Sequence, residues 1–272
     1  MLTTPRESVL PPGRVRVTYV GHASVLVEDG DAALLTDPLL RNRVGHLIRR
    51  VPPPAPLPRL DGVLISHLHR DHLDIPSLRR IPPGTPAVVP AAGASLARRA
   101  GLAPVPGAEG DVIRLGPFEL RAVGADHDGR RAPVGAPVSA LGYVIRTSVG
   151  GIYFAGDTGL FPGLDEIGDM GLEVALLPVA GWGPRLGAGH LDPVQAADAL
   201  VSLHPRVAVP IHWGTISLVG RSLPRPDAPH EFAERAASVA SSVDVVVLPP
   251  GAALELAGGF ASNGNAAVGS PA

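Results

Sequence analysis

The sequence predicts an α/β (α+β) fold: two β-sheets packed face to face with helices on the outside. Short β-branched runs recur in both halves, and each half also carries short helical patterns. The opening meander needs antiparallel pairing, which argues against a doubly wound parallel sheet. The 272 residues suit one large domain. With no strong repeat or linker, residues 1–257 are expected to form that domain, and the tail 258–272, "GGFASNGNAAVGSPA", is expected to be disordered.

Taken in order, "RVRVTYV", "ASVLVED" and "DAALLTDP" are strands broken at Gly21-His22 and Gly30-Asp31. A Pro-rich loop leads to the buried-type strand "DGVLIS". "DIPSLRRI" is a short helix with Asp74 as N-cap and Pro76 in its first turn. "PAVVP" and "GASLARRAGL" add a strand and a helix, and "DVIRL", "FELRAVGAD", "ALGYVIRT", "GIYFAGD" and "EVALLPVA" are further strands. In "DPVQAADALVSLHP" Asp192 caps a helix and Pro193 opens it, with Val194, Ala197, Leu200 and Val201 on one face. The strand "RVAVPIHWG", the helix "PHEFAERAASVA" and the strands "DVVVLPP" and "AALELA" complete the core.

Composition excludes much chemistry. All 23 basic residues are arginine, so Schiff-base lysines and a P-loop lysine are ruled out. There is no cysteine, hence no disulfide, thiolate nucleophile or iron–sulfur cluster. Any metal must be held by His, Asp or Glu. A net charge of −2 provides no global field for nucleic acid or an anionic membrane. The first residues lack the pattern of a secretory signal and no apolar run is long enough for a membrane helix, so a cytoplasmic protein is expected.

Against that background "SHLHRDHLD" stands out, with three of the ten histidines and two aspartates in nine residues after a strand. His67 and His69, two apart, fall on one side of an extended segment. Asp71 and His72 follow where the chain turns toward a helix, so the loop can offer two ligands to each of two metals. Imidazole and carboxylate suit zinc, and also iron or manganese. Downstream, His127 ("GADHDGR"), Asp157 ("FAGDTG") and His212 ("PIHWG") each lie where an apolar strand gives way to Gly-rich backbone.

"SHLHRDHLD" resembles the His-x-His-x-Asp-His signature of the metallo-β-lactamase fold superfamily, and His127, Asp157 and His212 match its later ligand motifs in order. "GHASVLVE", "LLTDP", "DHDGRR", "HLDPVQA" and "IHWGT" are similar to a narrower branch containing N-acyl-phosphatidylethanolamine phospholipase D and, more distantly, L-ascorbate-6-phosphate lactonase. The resemblance implies a four-layer αββα sandwich with a dinuclear site at one edge. His67, His69 and His127 would hold one divalent ion; Asp71, His72 and His212 would hold the other. Asp157 would bridge them, together with a hydroxide that attacks the substrate. Zn2+ is the first expectation, with Mn2+ or Fe2+ as alternatives.

Asp71 and His190 are the catalytic candidates. His190, in "GHLDP", could protonate a leaving group or bind an anion near the Asp192 cap. Asp37 and Asp74 could orient ligand histidines, His22 lies in a motif that places it close to the site, and Arg130 and Arg131 could meet a substrate anion. His46, His204 and His230 read as surface or structural residues. Trp182 stands where that branch commonly has tyrosine, and its loop is short, which argues against a lipid substrate. The missing cysteine argues against antibiotic hydrolysis. The expected function is metal-dependent hydrolysis of a phosphodiester, lactone or other ester in a small-molecule substrate, without nucleic acid or membrane as partner. The alternatives are a nuclease, an iron-dependent oxidoreductase and a non-catalytic metal-binding protein.

Overall fold

The computed structural model describes residues 10–52, 54–132, 134–183, 186–258 and 268–269. In chain order its strands begin with β1 (Arg14–Gly21), β2 (Ser24–Asp29), β3 (Ala32–Thr36), β4 (Arg43–Val44), β5 (Leu47–Arg49) and β6 (Gly62–Leu64). Then come α1 (Ile75–Leu78), β7 (Pro86–Pro90), α2 (Ala94–Arg99), β8 (Ala103–Gly107), β9 (Val112–Leu115), β10 (Phe118–Asp128), β11 (Ser139–Thr147) and β12 (Gly150–Phe154). The chain continues through α3 (Gly163–Gly168), β13 (Leu172–Pro178), α4 (Pro193–Leu203), β14 (Val207–Ile211), β15 (Ile216–Leu218), α5 (Ala228–Val239), β16 (Asp244–Val245), β17 (Ala253–Ala257) and β18 (Val268–Gly269).

One large sheet runs β18-β17-β1-β2-β3-β6-β7-β8 and a second β16-β14-β13-β12-β11-β10-β9, while β15-β5-β4 form a small third sheet. Each of the two large sheets is antiparallel in one half and parallel in the other. Between them lies the main core, where Val17, Tyr19, Leu34 and Leu64 of the first sheet meet Leu120, Tyr143, Phe154 and Leu176 of the second. The outer face of the first sheet packs on α1 and α2 through Val63, Leu78, Val89 and Ala97. That of the second packs on α3, α4 and α5 through Tyr153, Ile167, Leu200 and Phe232. These are the four layers expected, because each sheet is apolar on both faces and must cover both.

The topology itself assembles a site. β3 and β6 run parallel, as do β12, β13 and β14. Two antiparallel steps give β1 the direction of β3, and β10 the direction of β12. The carboxyl ends of all these strands therefore gather at one edge of their sheets. They deliver His22, Asp37, the loop 66–72, His127, Asp157 and His212. Register breaks sharpen the delivery: β1–β2 slips between Tyr19 and Gly21, and β10–β11 between Gly124 and Asp128, re-aiming the chain beside His22 and His127.

Two expectations need correction. On α4 the buried positions are Pro193, Ala196, Ala197, Ala199, Leu200 and Leu203, whereas Val194 and Val201 are exposed. The buried rail is the adjacent one, since small alanines let α4 lie close to α5. "DVVVLPP" pairs only over Asp244–Val245, at the sheet edge, and its two prolines cannot extend the ladder. Most of the tail expected to be disordered lies outside the described residues; Val268–Gly269 pair with Ala253 and Leu254.

The cap of α4 follows the sequence. Asp192 accepts from the Gln195 N–H while the Gln195 side chain accepts from the Asp192 N–H. Asp192→Ala is expected to cost about 1 kcal/mol, read as a lowered midpoint in denaturant unfolding. No helix among the described residues is long and apolar enough to cross a membrane.

Candidate metal centre

Each element supplies its residue for a local reason. After β6 the chain leaves the sheet with Ser66, whose N–H and hydroxyl both donate to Asp37, at 2.8 and 2.5 Å. The loop then coils back, with the His72 and Leu73 N–H groups donating to the His69 carbonyl, before Asp74 caps α1 by accepting from the Ser77 N–H. Gly156, at φ +63°, lets Asp157 approach: a Cβ there would lie 2.5 Å from that of Ser66. Gly189, at φ +71°, packs so closely on Asp126 and His127 that a Cβ would lie 2.7 Å from the Asp126 carbonyl.

All seven sequence-predicted ligands come together in two adjoining groups. His67, His69, His127 and Asp157 form one; Asp71, His72 and His212 form the other, joined by His22. His67 Nε2 and His69 Nδ1 are 2.9 Å apart, and His69 Nδ1 and His127 Nε2 3.2 Å. In the second group His72 Nε2 and His212 Nε2 are 3.2 Å apart. Asp157 faces both: its Oδ2 is 3.2 Å from His72 Nε2 and 3.8 Å from His67 Nε2, and its Oδ1 is 3.3 Å from His212 Nε2.

The outer nitrogens fix the tautomers. His72 Nδ1 lies 2.7 Å from Asp37 Oδ2, His127 Nδ1 2.9 Å from the Gly189 carbonyl, and His212 Nδ1 2.9 Å from the Ala180 carbonyl. His67 Nδ1 lies 2.9 Å from Ser66 Oγ, whose own proton goes to Asp37. On His67, His127 and His212 the Nδ1 is thus the proton donor and the Nε2 turns a lone pair inward, whereas His72 Nε2 faces the Asp157 carboxylate. Ring nitrogens gathered at about 3 Å from one another make a donor set that a cation can occupy.

Charge makes the same demand. Asp37, Asp71 and Asp157 are all buried, and among the described residues none pairs with an arginine. Asp157 Oδ1 has no hydrogen-bond partner, because the His212 nitrogen facing it has no proton to give. Burial, reinforced by neighbouring histidines, holds His67 and His212 below the ordinary imidazole range and takes His127 down to about 4. His72 is the exception: burial opposes its charge, but Asp157, Asp71 and Asp37 outweigh burial and raise it. Burial would likewise raise Asp157, yet the surrounding histidines hold it well below the usual carboxylate range. Buried carboxylates facing imidazole nitrogens, with no arginine beside them, are a donor set that fits divalent cations.

The other candidates sort by contact. His190 Nε2 lies 3.4 Å from Asp157 Oδ2, and its Nδ1 lies 3.2 Å from the carbonyls of Gly187 and Ala188. It is part-exposed and stands outside both ligand groups. Asp37 orients His72, as expected. Asp74 does not serve a histidine; it caps α1 and takes a bidentate contact from Arg41. Arg130 pairs with Asp128, and Arg131 donates to the carbonyls of Leu68 and Leu73, bracing the histidine loop. His46, His204 and His230 are exposed and remote from the groups. Sequence reasoning missed Ser66, which ties Asp37 to His67; its position between a strand and His67 was the only available signal.

A family model for the β-lactamase superfamily domain matches residues 33–213. The chain is 31% identical to a UPF0173 metal-dependent hydrolase of Aeropyrum pernix, over 88% of this chain and 97% of that one. It is 34% identical to a UPF0173 metal-dependent hydrolase of Methanopyrus kandleri, over 89% and 100%. Among solved structures, Igni18, a metallo hydrolase from Ignicoccus hospitalis, superposes with a TM-score of 0.67 at 25% identity, covering 89% of this chain and 98% of that one.

Proposed function

We propose a specific chemistry for this chain, which belongs to the metal-dependent hydrolases of the β-lactamase superfamily: it uses two divalent ions, Zn2+ in the first instance, to hydrolyse a phosphodiester, lactone or other ester of a small molecule. His67, His69 and His127 would hold one ion, Asp71, His72 and His212 the other, and Asp157 would be shared. The inward-facing imidazole nitrogens spaced 2.9–3.2 Å apart, with the Asp157 carboxylate facing both groups, are the observation that supports this reading. Bound there, divalent ions lower the pKa of water from 15.7 to about 7 and polarise the oxygen of the bond to be cut.

The remaining work falls to the protein. Asp71 stays ionised, because contacts with His72 and His22 overcome the opposing effect of burial, and accepts rather than donates. His190 holds a proton more firmly than an ordinary imidazole: burial opposes that charge, but the Asp157 carboxylate prevails. Part-exposed at the mouth, it is placed to give that proton to a leaving group. His69 and His127 are only half-buried, so the centre opens to solvent, which favours catalysis over a closed structural metal staple. Relation to the phospholipase and lactonase branch and a cytoplasmic location remain part of this proposal.

The test is a hydrolysis panel of phosphodiesters, phosphomonoesters, lactones and carboxylic esters, run with Zn2+, Mn2+ and Fe2+. Activity on one class, lost on chelation and restored by metal, is expected. Full turnover by metal-free protein contradicts the reading.

A further inference from the structure

His22 sits inside the second group, yet its chemistry differs from that of its neighbours. It follows β1 at the register break and adopts φ +60°; His212, beside it, adopts φ +64°. Left-handed backbone is costly for residues with a Cβ and persists where surrounding structure enforces it. Here the enforcement is mutual. The His212 N–H donates to the His22 carbonyl at 2.8 Å, the His22 N–H donates to Thr215 Oγ1 at 2.9 Å, and the two rings lie 3.9 Å apart.

The ring itself is engaged. His22 Nε2 lies 3.0 Å from Asp71 Oδ2. An ionised carboxylate can only accept, so Nε2 carries the proton and has no lone pair for a metal. The same Oδ2 lies 3.7 Å from His72 Nε2, so the His22 contact holds the Asp71 carboxylate beside the second group.

We propose that His22 is a positioning residue rather than a ligand: it fixes the Asp71 carboxylate by donating to Oδ2, and so preorganises the second metal position while leaving the first untouched. The inference rests on the two-ion reading above. The β1–β2 turn, which contributes no ligand, thereby becomes part of the machinery that sets second-site affinity.

The experiment titrates apo wild type, His22→Ala and His22→Gln with Zn2+, following both binding steps by calorimetry, and repeats the loading with Co2+ to record its visible spectrum. His22→Ala is expected to keep the first step and weaken the second 10- to 100-fold, the usual effect of removing a residue that orients a ligand. His22→Gln, whose amide can still donate to Asp71, is expected to recover most of the affinity and to keep the wild-type Co2+ spectrum. Unchanged second-site affinity in His22→Ala overturns the proposal, as does failure of Gln to rescue, which makes the role merely structural. A Gln spectrum showing loss of an imidazole ligand also overturns it, because His22 would then bind metal directly. If wild type takes up no second equivalent, the two-ion reading fails instead.

Discussion

Asp157→Ala is expected to remove measurable hydrolysis and to reduce bound metal below one tight equivalent per chain. Asp157 is the group that faces both clusters, with His72 and His67 near one oxygen and His212 near the other. Its removal takes one negative charge from a pocket whose affinity for cations depends on buried carboxylates. The loss should exceed the roughly 10- to 100-fold that follows from disturbing a residue behind a ligand. Elemental analysis and steady-state kinetics on the purified variant read both effects. Because Gly156 makes the close approach to Ser66 and is unchanged, the loop should keep its course, and circular dichroism should match wild type. Retention of two tight metals by Asp157→Ala contradicts the shared role.

Asp37→Ala is expected to cost both stability and metal. Asp37 is fully buried and accepts from the Ser66 N–H, the Ser66 hydroxyl and His72 Nδ1. Truncation strands three buried donors, each costing about 1–3 kcal/mol, so a loss of about 3–5 kcal/mol is expected in urea unfolding. Its φ of +31° adds strain for alanine. Freed from Asp37, His72 can rotate or change tautomer, so affinity at the Asp71–His72–His212 group should fall with stability. Asp37→Asn, which tolerates that backbone and can still accept one hydrogen bond, should fall between wild type and Ala in both measurements. Equal metal affinity in wild type and Asp37→Ala would separate Asp37 from the centre altogether.

Much of this molecule is legible in its sequence because strand periodicity and metal chemistry both leave short-range marks. The meander, the buried strand before the histidine loop, the Asp74 and Asp192 caps and the seven converging side chains all rest on local spacing or residue type. Less local features were hidden. Asp74 looked like a partner for a histidine, but its carboxylate is taken by Ser77 and Arg41, a residue 33 positions away. Arg131 looked free for an anion, but it holds carbonyls 58 and 63 positions away. The α4 stripe shifted by one rail because helix–helix approach favoured alanine over valine, a choice that hydrophobicity alone does not encode. The link from Ser66 to Asp37 and His67 required knowing that β3 and β6 are parallel neighbours.

The central claim is that the inward-facing nitrogens and carboxylates hold two divalent ions. Diffraction from crystals of the Zn2+-loaded protein, collected on both sides of the zinc absorption edge, tests it most directly. Two anomalous peaks are expected, one among His67, His69 and His127 and one among Asp71, His72 and His212, with Asp157 touching both. No peak in either group, or a single peak elsewhere, contradicts it.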